Sequence, residues 1–208
     1  VASPGFSQAA FEKPIPHGVC LKHTPPPAAY SVFTMADDPY LDPYRDSVRK
    51  HGPKFQATLW ANADSQKRRF EVFTQLVFFT GKRVLDAGCS RGDLADFLLQ
   101  RDIAFERYIG VDALDEVIRY AQQRRLPRCE FRRGDLVADP RLLTLGQPQI
   151  VCISGTLNTM TQQQAAGLLG AAWAAASESL LFNFLSDRAG PEAPAQTGPA
   201  YRLNTLGL

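Results

Sequence analysis

Residues 83–93, Arg-Val-Leu-Asp-Ala-Gly-Cys-Ser-Arg-Gly-Asp, constrain the fold more than any other stretch of the chain. A short apolar run ends in Asp86, small residues follow, and Leu94 to Leu99 then continues at helical spacing. This order reads as strand, glycine-containing turn and helix, the opening unit of a nucleotide-handling α/β sheet. Gly88 and Gly92 accept backbone angles that a side chain disfavours and let a ligand approach the main chain. A helix starting near Asp93 would point free N–H groups at the same place. Two more strand-like runs end in acids. Tyr108 to Val111 leads into Asp112, 20 positions after Gly92, and Cys129 to Arg133 leads through Gly134 into Asp135. An acid at the carboxyl end of the neighbouring parallel strand is placed to accept hydrogen bonds from ribose hydroxyls.

With its acid-x-Gly-x-Ser-x-Gly loop (Asp86, Gly88, Ser90, Gly92) and the acids Asp112 and Asp135 in this order, the chain resembles the class I S-adenosylmethionine-dependent methyltransferases over about residues 65–187. Ser90 stands where the family's loop carries its middle glycine. The resemblance implies that Asp86, Gly88, Cys89, Ser90 and Gly92 form the loop beside the methionine moiety. It implies that Asp112 holds the ribose, that Asp135 contacts the adenine amine, and that Leu136 lies beside the ring. Ala113 and Ser154 complete the implied cofactor-binding set. A dinucleotide is the rival ligand, but its G-x-G-x-x-G fingerprint is absent here. The implied fold is a doubly wound, mainly parallel sheet with helices on both faces, apparently lacking the family's last strands.

Length and composition suit one domain with a real core: 208 residues, 45% of them hydrophobic. The formal net charge of +2 points to no polyanionic partner. The clusters Lys67-Arg68-Arg69 and Arg124-Arg125 lack interleaved aromatics and read as solvated faces, so no nucleic acid is expected. Cys20, Cys89, Cys129 and Cys152 form no C-x-x-C pair, so neither a metal site nor a disulfide framework is expected. A reduced, cytoplasmic setting follows, with no membrane span and no signal-like apolar core.

The chain divides into a proline-rich, loosely attached leader (1–34), a helical cap (35–80), the α/β core (81–188) and an irregular tail (189–208). Met35 is a candidate natural start. In the cap, helical spacing from Asp42 is interrupted at His51-Gly52-Pro53, and a second helix is expected after an N-cap at Asp64 or Ser65. The fourth core strand, Gln149 to Ser154, empties into Gly155-Thr156-Leu157-Asn158-Thr159, and Thr161 with Gln164 forms a capping-box pattern. Only about 20 residues follow the fifth strand, so the chain is either a fragment or has a shortened sheet with an exposed edge, through which homodimerisation is expected.

The resemblance makes the cap the acceptor wall, with Phe55, Trp60 and Arg69 as substrate-contact candidates alongside Thr156. His51 and Asn158 are the candidates for catalytic groups. An Asn- or Asp-Pro-Pro-aromatic motif of the kind used on nucleic acid or protein glutamine is missing, which favours a small-molecule acceptor. The alternative is a methyltransferase-like scaffold that keeps the fold without turnover.

Overall fold

The computed structural model describes residues 39–191, 193 and 198–208, together with the backbone of residues 8–12. Six strands form one sheet: β1 (Gln8–Glu12), β2 (Arg83–Ala87), β3 (Arg107–Asp112), β4 (Cys129–Arg133), β5 (Ile150–Ser154) and β6 (Ser179–Asn183). Their spatial order is β1-β6-β5-β2-β3-β4. Strands β2 to β6 run parallel, and β1 pairs antiparallel with β6. The five helices are α1 (Asp42–His51), α2 (Ala63–Leu76), α3 (Asp93–Leu99), α4 (Asp115–Gln123) and α5 (Gln162–Ala175).

Alternation along the strands builds two apolar layers. Leu85, Ile109, Val151 and Leu180 pack with Leu168, Leu169 and Ala172 of α5. Val84, Tyr108, Ile150 and Leu181 pack with Phe70 and Phe73 of α2, Leu94 and Leu98 of α3, and Ile118 of α4. Successive strand residues point to opposite faces, so a strand covered on both sides must be apolar at nearly every position. Fully burying one such aliphatic side chain is worth about 1.5–3 kcal/mol, which is why the layers hold the sheet rigid beneath the loops.

Local signals placed most boundaries. Thr161 and Gln164 make the reciprocal capping box of α5. Gly52, at φ 62°, ends α1 at the expected break. The start of α2 differs from the sequence reading: the N-cap is Asn62, whose side chain accepts from the Ser65 amide at 2.8 Å. Asn, Asp and Ser all cap well, so the cluster Asn62, Asp64, Ser65 leaves the choice to the incoming chain direction.

One expectation is corrected at the sheet edge. Within the leader, Gln8–Glu12 is the antiparallel edge strand, with Gln8 opposite Asn183 and Glu12 opposite Ser179. The β6 edge is therefore covered rather than exposed, which removes the reason given for homodimerisation through it. Five residues without strong patterning gain strand structure only because β6 offers them a ladder. Residues 1–7 and 13–38, including Met35, lie outside the described residues. The irregular tail also docks: the Leu203 amide donates to Leu185 O at 2.8 Å, Leu203 O accepts from the Asp187 amide at 3.0 Å, and the Leu203 side chain joins the core.

Candidate active site: a carboxylate-lined cleft at the strand ends

The chain leaves β2 toward β3 and β4, then returns to place β5 and β6 on the other side. Loops diverge at such a reversal, and ligands of open α/β sheets lie in the resulting crevice. Here that crevice is a cleft of about 880 Å³, counting the part open to solvent, roofed by residues of the cap.

The loop after β2 owes its shape to close approaches. Gly88 and Cys89 both donate their amides to Val111 O, at 2.8 and 3.0 Å. Gly88 sits at φ 81°, and a Cβ there would lie 2.1 Å from Thr156 Oγ1. Ser90 takes φ 46° although it carries a side chain, a strain of about 1–2 kcal/mol. Its amide compensates by donating to Asp112 Oδ2 at 2.9 Å. The replaced glycine therefore keeps the left-handed turn of the family's loop.

Three aspartates line the cleft: Asp86, Asp93 and Asp112. Asp112 accepts from Ser90 and, through Oδ1, from the Leu114 amide at 3.0 Å. Surrounding protein raises its carboxyl above the usual range, and the amides of Leu114, Ser90 and Ala113 hold it back. Asp86, 3% exposed, accepts a short hydrogen bond from the Tyr108 hydroxyl inside the core. Burial pushes its carboxyl up from 3.8 to about 7; the Tyr108 bond opposes this, and the nearby Asp112 and Asp93 charges add to it. Asp93 faces Arg124 at 3.3 Å and Arg91 at 3.5 Å through Oδ1, while its buried Oδ2 has no partner.

On the far wall, the Asn183 side chain links the ends of β5 and β6: Oδ1 accepts from the Gly155 amide at 3.0 Å, and Nδ2 donates to Ser154 Oγ at 2.9 Å. The roof is tied down by two tyrosines. Tyr40 donates to Asp135 Oδ1 at 2.5 Å, and Tyr44 donates to Gly155 O at 3.0 Å. Burial raises the Tyr44 hydroxyl to about 12.

Of the residues singled out from sequence, Asp86, Gly88, Cys89, Ser90, Asp112, Ala113, Leu136 and Ser154 line the cleft, as do Trp60 and Thr156. Gly92 lies outside its lining, with a Cβ there 2.7 Å from the Phe131 ring. Asp135 stands outside the lining as well, with Oδ1 shared between Tyr40 and the amides of Val137 and Ala138. Neither catalytic candidate reaches the cleft. His51 closes α1, where a basic residue favours the helix C-terminus. Asn158 Oδ1 accepts from the Leu185 amide at 2.8 Å, and its carbonyl accepts from Tyr201 at 2.7 Å, so it pins the chain leaving β6. Phe55 and Arg69 also lie off the lining; the Arg69 guanidinium stacks over the Trp60 ring at 4.7 Å. Tyr40, Tyr44 and Met160 line the cleft unannounced by any motif, as does Asp93 at the end of the 83–93 stretch.

The methyltransferase-domain family matches residues 84–177, from β2 to just past α5. That match covers less than half of the chain, and the fold is the Rossmann-like one of methyltransferases. Solved structures with the same fold include the phosphoethanolamine N-methyltransferase 1 of Haemonchus contortus, at TM-score 0.57 and 16% identity, covering 78% of this chain and 38% of that one. The magnesium protoporphyrin IX methyltransferase of Synechocystis PCC 6803 follows at 0.56 and 20%, covering 80% and 79%. DhpI, in a complex with S-adenosylmethionine and HEP, gives 0.55 and 18%, covering 74% and 69%. The chain thus spans well under half of the Haemonchus enzyme and most of the other two. No curated protein matches the chain.

The cleft chemistry fits this class's cofactor, S-adenosylmethionine, and its product, S-adenosylhomocysteine. The partnerless Asp93 Oδ2 and the acceptor atoms of Asp112 suit ligand N–H and O–H donors, and no Lys, Arg or His lines the cleft to repel a sulfonium.

Proposed function

We propose that this chain transfers a methyl group from S-adenosylmethionine to a small-molecule acceptor. The observation that carries the reading is the cleft itself, where the glycine loop, the Asp112 carboxylate and the Gly155-Thr156 loop meet under an aromatic roof. Asp112 holds the ribose hydroxyls, Ala113 and Leu136 flank the adenine, and the Gly88–Ser90 backbone faces the amino-acid end. Ser154, Thr156 and Trp60 bound the space where the acceptor enters. When bound, the cofactor supplies a methyl group already activated on sulfur. The protein's own contribution is then to hold the acceptor in line and exclude water, effects that reach several kcal/mol without a dedicated base. Tyr44, donating to Gly155 O and with its hydroxyl at about 12, acts as a strut for the loop rather than as a proton acceptor.

Among the described residues, no helix is long and apolar enough to cross a membrane, and no His/Cys/Asp/Glu group could hold a metal ion. The test is calorimetric titration of S-adenosylhomocysteine into the chain, with Asp112→Ala as control. The substitution is expected to weaken binding by about 1–3 kcal/mol, the cost of orphaning hydrogen bonds to a charged group. Unchanged affinity in the variant would remove Asp112 from the site, and absence of binding to the parent would refute the reading.

A further inference from the structure

Asp112 has a task at the ribose and Asp93 faces two arginines, but Asp86 has neither a ligand role nor a cationic partner. It sits at the centre of the sheet, paired with Gly110 of β3 and Cys152 of β5. It is 3% exposed and still belongs to the lining of the cleft. Its Oδ2 accepts from the Tyr108 hydroxyl, while Oδ1 takes part in no hydrogen bond of the described residues. The ionisable groups around it are neutral or negative: Tyr108 on β3, Cys152 on β5, Cys89 in the glycine loop, Asp112 at the end of β3 and Asp93 at the start of α3. Arg91 and Arg124 are committed to Asp93, and no Lys, Arg or His of the described residues lines the cleft.

A carboxyl that has lost its hydration and meets like charges favours its protonated form. Burial lifts Asp86 to about 7; the Tyr108 bond opposes this, and Asp112 and Asp93 add to it. Near neutrality the group is therefore balanced between two forms, and one added charge tips it. S-adenosylmethionine and S-adenosylhomocysteine differ by one methyl and the positive charge that it leaves on sulfur; their adenosine and amino-acid ends are common. The loop facing the amino-acid end begins two residues after Asp86, and Thr156 of the opposite loop closes on Gly88, where a Cβ would lie 2.1 Å from its Oγ1. With about 3.8 Å between successive Cα atoms, a sulfur beside Gly88 lies on the order of 10 Å from the Asp86 carboxyl. Two unit charges at that separation and an effective permittivity of about 20 change an equilibrium about tenfold, or about one pH unit.

We propose, building on the methyl-transfer reading above, that Asp86 is the residue by which the protein tells the charged methyl donor from its neutral product, ionising when the sulfonium binds and regaining a proton once the sulfur is neutral. The proton passes to solvent and returns from it. An ionised Asp86 attracts the sulfonium and a protonated one is indifferent to it. The donor's advantage over the product therefore grows as pH rises through the window from about 6, one unit below the free carboxyl, to about 7.

The experiment titrates the full chain calorimetrically with S-adenosylmethionine and with S-adenosylhomocysteine, without acceptor, in two buffers of different ionisation enthalpy at pH 7. The donor is expected to release about 0.4 proton more than the product, the change from half to about one-tenth protonated that a one-unit shift brings. Between pH 5 and pH 7.5 the ratio of the two affinities is expected to move about sevenfold in the donor's favour. Asp86→Asn carries no charge at any pH and is expected to remove both differences, whereas a merely structural role would weaken the two ligands alike. Equal proton release by the two ligands would overturn the proposal from the parent alone, and so would a ratio as pH-dependent in Asp86→Asn as in the parent. Failure of S-adenosylhomocysteine to bind is a separate result, read first, and would overturn the methyl-transfer reading on which the proposal stands.

Discussion

Gly88→Ala is the substitution for which the structure specifies the largest and most divisible effect. The backbone there stands at φ 81°, where a residue with a Cβ loses about 1–2 kcal/mol. The new methyl would also lie 2.1 Å from Thr156 Oγ1, 2.8 Å from its Cγ2 and 3.0 Å from its Cβ. Rotation about the Thr156 χ1 bond cannot clear both close positions, since one of them always carries a γ heavy atom and the Cβ stays at 3.0 Å, so the loop after β5 must move. That movement breaks the Thr156 hydrogen bond to Ala87 O, worth about 1 kcal/mol, and adds overpacking of about 1–3 kcal/mol. The expected total is a destabilisation of about 3–6 kcal/mol, read as a fall in the urea midpoint at constant slope. Thr156→Ala removes the two closest clashes but leaves the backbone strain. In that background Gly88→Ala should therefore cost only the strain, a coupling of about 2–4 kcal/mol in the double-mutant cycle. A single-variant effect below about 1 kcal/mol, or a cost unchanged by Thr156→Ala, would refute the close approach of these two loops.

Asp86 should make stability depend on pH. Its folded carboxyl is raised to about 7 while the unfolded chain titrates near 3.9, so the folded state binds more protons between those values and stability falls as pH rises through that window. The gap is worth about 4 kcal/mol as an upper bound. Asp86→Asn keeps an acceptor for Tyr108 and should flatten the decline measured by denaturation at pH 4.5 and 7.5; an unchanged slope would count against the raised carboxyl. Leu203→Ala should cost about 2–4 kcal/mol as a core truncation, although it lies in a stretch without helix or strand patterning. A loss under about 0.5 kcal/mol would show that the tail does not dock as the hydrogen bonds to Leu185 and Asp187 indicate.

The core strands were legible because their pattern is local. Arg83–Ala87 and Ile150–Ser154 are short apolar runs bounded by turns, and the capping residues around Thr161 act within one helical turn. Much of the cleft lining around the glycine loop was legible for the same reason, since Asp86 and Asp112 end or nearly end their strands and Gly88 and Ser90 follow β2 directly. Gly92 and Asp135 keep the motif spacing but stand outside the cleft lining, beside Phe131 and Tyr40. His51 was singled out as a histidine in the cap and Asn158 for its place in the loop after β5. One completes a helix end, and the other is engaged by backbone groups that arrive 27 and 43 residues later.

The amino-acid sequence by itself determined the alternation of strands and helices, the left-handed loop after β2 and the acids at the strand ends. Each of these depends on the backbone preferences and polarity of neighbouring residues. The tertiary structure decided which groups meet: Tyr40 with Asp135 across 95 residues, Tyr44 with Gly155 across 111, Asp86 with Tyr108 inside the core, and Gln8–Glu12 with β6 at the far end of the chain. Such pairings carry no local signal, because a tyrosine hydroxyl or a short edge strand finds its partner only after the two apolar layers have brought distant segments together.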